Sequence, residues 1–370
     1  MSFKDILGQD RAILFLKNSI AGKRIAHAYL FSGPSGVGKK LTALNFAKAL
    51  NCLEGSNEKP CGPSILRHCS GSNPELLSKG SMNSGPHPEP VDGCGCCISC
   101  RKIDAANHPD VFLLRPEKEG GAIKIDAIRG LIISAGLKPY EARCKVYIID
   151  EADSMGYVAQ NAFLKTLEEP PPRSVLILIT ANPGKLFSTV VSRTQMVRFF
   201  PLKTGDVRAI LTEAHKMDNA AAEALSGLSS GRIGEALRYG RGDFSAKRSR
   251  IIKGIIDGAF FVSDFEDIPK EDLGLCLDIM LTWYRDLLVA KIKGSVLRQN
   301  AQDDPGQSRE AEDGTVFFNA DKKDALFIEA GKTDFEKLDN AVRQIILTAS
   351  YLKQNANPKL AMSALGANIA

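Results

Sequence analysis

The chain has 370 residues, 44% hydrophobic and 25% charged, enough apolar side chain for a sizeable core and length for two or three domains. A formal net charge of +5, from 48 basic and 43 acidic residues, is too small to argue nucleic-acid binding and does not oppose it. No apolar run approaches the ~20 residues of a membrane span, the start MSFKDILGQD lacks a secretory apolar segment, and the nine clustered cysteines of a cytoplasmic chain favour a metal site over disulfides.

In chain order, five short apolar runs predict buried parallel strands: Ala28–Ser32, Val111–Arg115, Val146–Ile149, Val175–Thr180 and Met196–Phe200. Helix-patterned segments separate them, which predicts an α/β core with a five-stranded parallel sheet flanked by helices. The first strand runs into a glycine-rich loop, and a helix is predicted at Leu41–Leu50. Residues 54–93, rich in Gly, Pro, Ser and Asn, read as an exposed insertion. After Pro201 the strand signal ends. Residues 204–240 read as a small helical unit and the rest, from about 245 onward, as a larger one with a polar interruption at 298–314.

The glycine-rich loop is GPSGVGKKL, residues 33–41. A phosphate-binding loop reads G-x-x-x-x-G-K and then Ser or Thr, whose hydroxyl helps hold magnesium. Gly33, Gly38 and Lys39 are in register, and the backbone around Gly36, Val37, Gly38 and Lys39 can form a nest of N–H groups for phosphate oxygens. The hydroxyl position is Lys40, and Thr42 comes two residues late. A lysine cannot coordinate magnesium, so binding of ATP and magnesium is left open and efficient hydrolysis is not expected.

The segment KVYIIDEAD, 145–153, supplies the second nucleotide motif. Asp150 is placed to hold magnesium through water and Glu151 to polarise an attacking water, unless both are vestiges. A helicase reading of the string DEAD fails for want of a second core. Cys94, Cys97 and Cys100 have the C-x2-C-x2-C spacing of a structural zinc knuckle. Cys52, at the end of the loop helix, is the preferred fourth ligand, with Cys61, Cys69 and Cys96 as rivals. Four thiolates leave no open position, so the Zn2+ would be structural. In VVSRTQ, Arg193 precedes the last strand, where an arginine can reach a neighbouring subunit's γ-phosphate; such fingers change rates by roughly 10³–10⁵.

Together these residues resemble the AAA+ clamp loader family. The resemblance runs through ILGQDRA at 6–12, AHAYLFSGPSGVGKK at 26–40 and the zinc knuckle, then IKIDAIRGLI at 123–132 and KVYIIDEADSM at 145–155, and on to AQNAFLKTLEEPPP at 159–172 and SRT at 192–194. Within the family it is similar to the delta-prime class of bacterial DNA polymerase III subunits rather than the ATP-hydrolysing gamma/tau class. Lys40 is one reason. Another is Gly234, standing in SSGRIGEALR where gamma/tau-like chains carry a lid arginine. The tail segments LTWYRDLL at 281–288 and NANPKLAM at 355–362 resemble the delta-prime collar. The family's Ser-Arg-Cys triplet is Ser-Arg-Thr here, ending in Thr194, and its strand-end sensor position falls in ITANP, at Ala181 or beside it at Thr180 or Asn182.

The resemblance implies a core at 1–202 with a zinc-bearing excursion at 52–100, a helical lid at 203–242 and a helical collar at 243–370. It also implies gamma/tau and delta subunits as partners, with the sliding clamp and primed DNA reached through the complex. Arg193 would then complete a neighbour's ATP site while the chain's own site is degenerate. The competing readings are an active gamma/tau-like ATPase and a zinc-dependent nucleic-acid binder. Lys124, Arg129 and Lys138 read as solvated surface in preference to a DNA contact.

Overall fold

The computed structural model describes residues 2–53, 92–117, 121–241, 243–256, 272–303, 317–319, 322–354 and 356–369. Most of the insertion, with Cys61 and Cys69, and the polar stretch 304–314 lie outside the described residues. The chain divides into two compact units, residues 1–206 with 231–234, and residues 207–230 with 235–370.

The first unit is built on five parallel strands: β1 (Ala28–Ser32), β2 (Val111–Leu114), β3 (Lys145–Ile149), β4 (Ser174–Thr180) and β5 (Gln195–Arg198). Their order across the sheet is β2-β3-β4-β1-β5. The central strands read VYII and VLILIT because both their faces are covered, and β3 and β4 are buried along their whole length. The edge strands β2 and β5 are only partly buried. Around the sheet lie α1 (Asp10–Ala21), α2 (Lys39–Asn51), α3 (Ile98–Asp104), α4 (Ile125–Ala135), α5 (Tyr157–Glu168) and α6 (Ser188–Val191).

Leu30, Tyr147, Ile149, Leu176 and Leu178 pack on one face with Ile128 and Leu131 of α4 and Ala159, Phe163 and Leu167 of α5. Phe46 of α2 meets Tyr29 edge-on at 5.2 Å between ring centres. Since β1 pairs with β4 and β4 with β3, the loops leaving the carboxyl ends of β1, β3 and β4 converge on one rim of the sheet. That rim is where open α/β sheets bind ligands.

Most strands shift at an end by a residue or two from the sequence reading, and three boundaries differ for a visible reason. The last strand stops at Arg198, two residues early, because the Gln9 side chain takes the Phe200 backbone: Nε2 donates to the carbonyl at 2.7 Å and Oε1 accepts from the amide at 3.3 Å. The loop helix begins at Lys39, since Gly38, at φ +96°, supplies the left-handed turn that starts it. In the second unit, a single helix, Leu273–Asp303, runs through the first residues of the polar interruption.

That helix buries Cys276, Trp283, Leu287 and Ala290, and Leu338 and Ile345 of helix Phe335–Lys353 are buried as well. Asp286, fully buried, accepts from the Asn319 backbone amide at 2.8 Å and its side-chain amide at 2.9 Å. No helix among the described residues is long and apolar enough to cross a membrane.

Entry into β3 is set by Asp110, 1% exposed, whose carboxylate accepts from the amides of Tyr140, Glu141 and Ala142 at 2.8–3.0 Å. Burial alone would raise its pKa, but these amide donors outweigh it and hold the carboxyl below the usual range. A depressed acid contributes stability above its unfolded pKa of about 3.9 and loses it as pH falls toward the folded value. Asp110→Asn should therefore cost about 2 kcal/mol at neutral pH and flatten the acid limb of stability below about pH 4, read by denaturant titration.

Candidate functional site

The glycine-rich loop leaves β1 and closes onto α2. Lys39 is 6% exposed, and its ammonium donates to the carbonyls of Gly33 and, at 2.6 Å, Pro34. Burial lowers its pKa to about 8, against the pull of Asp150 and Asp153. The next residue decides the chemistry. The Lys40 ammonium lies 3.4 Å from Asp150 Oδ2, on the carboxylate that a P-loop core uses for magnesium. Thr42 cannot stand in, because its hydroxyl donates to the Gly38 carbonyl at 3.0 Å and is buried in the helix.

Glu151, just past β3, is held at φ +54°, an uncommon conformation for a residue with a side chain. At the end of β4, Thr180 donates to Asp153 at 2.8 Å and accepts from the Asn182 amide, while the sensor-matched Ala181 is exposed and offers only a methyl group. Gly234, within the first unit, donates its amide to the Gly36 carbonyl at 2.8 Å. A Cβ there would stand 2.8 Å from the Gly36 Cα, so no side chain, and no lid arginine, fits at this position. A magnesium ion does not fit this rim as it stands: its position beside Asp150 is answered by an ammonium, and position 234 carries no side chain.

Cys52, Cys94, Cys97 and Cys100 come together at the far end of α2, their sulfurs all within 4.8 Å of one another. Cys52 closes α2, and Cys97 caps α3, the helix that carries Cys100. Amides of Cys94, Cys97 and Cys100 donate to the sulfurs of Cys52, Cys94 and Cys97 at 3.3, 3.2 and 3.5 Å. Amide-to-sulfur bonds of this kind favour thiolates and orient metal ligands. The crowding of Cys52 against Cys100, with burial, pushes the Cys100 thiol pKa far up, as expected where sulfurs converge and only a cation makes their ionisation tolerable. These four residues fit a tetrahedral metal such as zinc. Among the described residues, Cys96 stays outside the group.

Arg193 stands just after α6 on the surface of the first unit, its side chain 36% exposed and 2.9 Å from Glu168 Oε1. Lys124 pairs with Glu117 at 2.8 Å and Arg129 with Asp126 at 3.6 Å, both on solvated surface. Sequence reasoning did not single out Gln9 or Glu168 for a role, although both lie inside segments that carry the family resemblance. Their signal was the motif, not the residue type.

A parallel sheet with β4 between the loop strand and the acidic strand, a P-loop after β1 and an acidic pair after β3 define a P-loop core of the AAA+ fold. A family model described as DNA polymerase III, delta subunit, matches residues 8–78 and 76–203. The chain belongs to that family. The delta-prime subunit of DNA polymerase III from Bacillus subtilis is 32% identical over 297 residues, covering 77% of this chain and 78% of that one. The tau subunit from the same organism is 29% identical over 240 residues, covering 64% of this chain and 36% of that one. A tau/gamma subunit of Haemophilus influenzae is 34% identical over 192 residues, covering 52% of this chain and 23% of that one. The chain thus spans most of its delta-prime relative and at most about a third of these tau relatives.

Two measurements test the sites. Chelation at neutral pH, or Cys100→Ser, should release one zinc per chain by elemental analysis and lower the melting temperature, since metal binding at such sites is worth on the order of 10 kcal/mol to the folded state. Lys40→Thr should tighten a fluorescent ATP analogue by about ten-fold or more in magnesium over EDTA, while the natural chain should titrate equally in both. Equal titrations of the variant in both buffers would clear Lys40 of excluding the metal.

Proposed function

We propose that the chain is a delta-prime-type subunit of a bacterial DNA polymerase III clamp loader, whose ATP-dependent work loads the sliding clamp onto primed DNA. The observation that carries this reading is the Lys40–Asp150 contact at 3.4 Å, an ammonium standing where a hydrolysing site needs magnesium. The missing lid side chain at Gly234 supports it, as does the similarity to a delta-prime subunit over 77% of the chain. The chain's own hydrolysis is then absent or weak, and Asp150 and Glu151 are vestiges.

In this role Arg193 serves the neighbour. Its guanidinium stays partly exposed on the core, and an arginine finger acts by placing fixed positive charge on a phosphoryl group held by another subunit. The core at 1–202, lid at 203–242 and collar at 243–370 are assigned the family's division of labour, with gamma/tau and delta subunits as partners and the cytoplasm as location. Zn2+ at Cys52, Cys94, Cys97 and Cys100 is structural, tying the excursion to α2.

The 29–34% identity to tau and tau/gamma subunits favours a second reading, an active ATPase in its own right. It predicts turnover by the isolated chain with magnesium and DNA, abolished by Glu151→Ala. The main reading predicts that Arg193→Ala lowers ATPase of the complex reconstituted with gamma/tau and delta subunits, with assembly by size exclusion intact. Unchanged turnover in that variant would remove the finger role.

A further inference from the structure

Arg193 does not extend freely into solvent. Besides the contact from Nη2 to Glu168, its Nη1 donates to the Thr189 carbonyl at 3.0 Å and reaches the Ser192 hydroxyl at 3.5 Å. Glu168 is the last residue of α5, whose end is closed by the Glu169 amide donating to the Lys165 carbonyl at 2.9 Å. Gln160, one face of the same helix, is buried and ties α5 to the chain entering α6: its Nε2 donates to the Lys185 carbonyl at 3.2 Å, and its Oε1 accepts from the Phe187 amide at 2.8 Å. The carboxylate and the carbonyl that flank the guanidinium therefore sit on two short helices braced to each other.

We infer that Glu168 is a positioning residue for Arg193, pre-ordering the guanidinium on the surface of the first unit so that it meets a neighbour's phosphate without first losing its rotamer freedom. This rests on the finger reading above. A guanidinium has five N–H donors in a rigid fork, and an inward carboxylate and carbonyl occupy only part of it. With the side chain 36% exposed, the remaining N–H groups are left for a phosphate oxygen. Glu168 is half exposed, so the pair contributes little to folding. Its effect belongs to geometry, where a misplacement of about 1 Å can cost up to 10²-fold in rate.

The test uses the reconstituted complex with Glu168→Gln, Glu168→Asp and Arg193→Ala made separately. Glu168→Gln should remove about half or more of the turnover that Arg193→Ala removes, through kcat with the KM for ATP unchanged. Glu168→Asp, which keeps the charge on a shorter stem, should recover part of it. Wild-type turnover in Glu168→Gln, beside a depressed Arg193→Ala, would overturn the inference and leave the finger reading standing. Raised turnover would mean that Glu168 holds the arginine back, and failure to assemble would make it an interface residue; either result also overturns it. Silence of Arg193→Ala would instead sink the finger reading itself.

Discussion

A carboxylate at the end of a buried parallel strand demands a positive partner, and in this protein that demand shapes the rim. Asp150 leaves β3 where three loops converge, with its side chain 21% exposed. In a hydrolysing core the partner is a divalent ion delivered with the nucleotide. Here it is the ammonium of Lys40, carried by the chain itself. The pair is too exposed to add more than about 1 kcal/mol to stability. Its importance is positional: it settles the charge of the rim whether or not nucleotide arrives, so Asp150 no longer needs a metal.

The sheet and its flanking helices were legible because central parallel strands are apolar on both faces, a pattern few other structures share. The candidate residues were legible wherever spacing mirrors local geometry: the glycine loop before a helix, the acidic pair after a strand, the three cysteines in one tight turn. Cys52 was reachable only by reasoning about where a long excursion must return. What stayed hidden was non-local. Nothing in the string SSGRIGEALR says that Gly234 lies against Gly36, and nothing in TLEEPPP pairs Glu168 with an arginine 25 positions later. Strand ends were likewise misjudged where a side chain, Gln9, replaced the ladder.

α2 joins the two candidate sites. Its first residue, Lys39, lies in the glycine loop, and its C-cap, Cys52, lies in the cysteine cluster. Lys48, 1% exposed, pairs with Asp104 of α3 along the way. The excursion is thus anchored to the helix that shapes the loop, and a metal that orders one end steadies the framework of the other.

The seating of Gly234 on Gly36 also limits what position 234 can hold. The backbone approach leaves no volume for even a methyl group at that point, so any side chain there would have to push the two segments apart. Returning a hydroxyl at position 40 would leave this backbone contact untouched. Positions 40 and 234 thus shape the same rim by separate means, one through charge and one through close backbone contact.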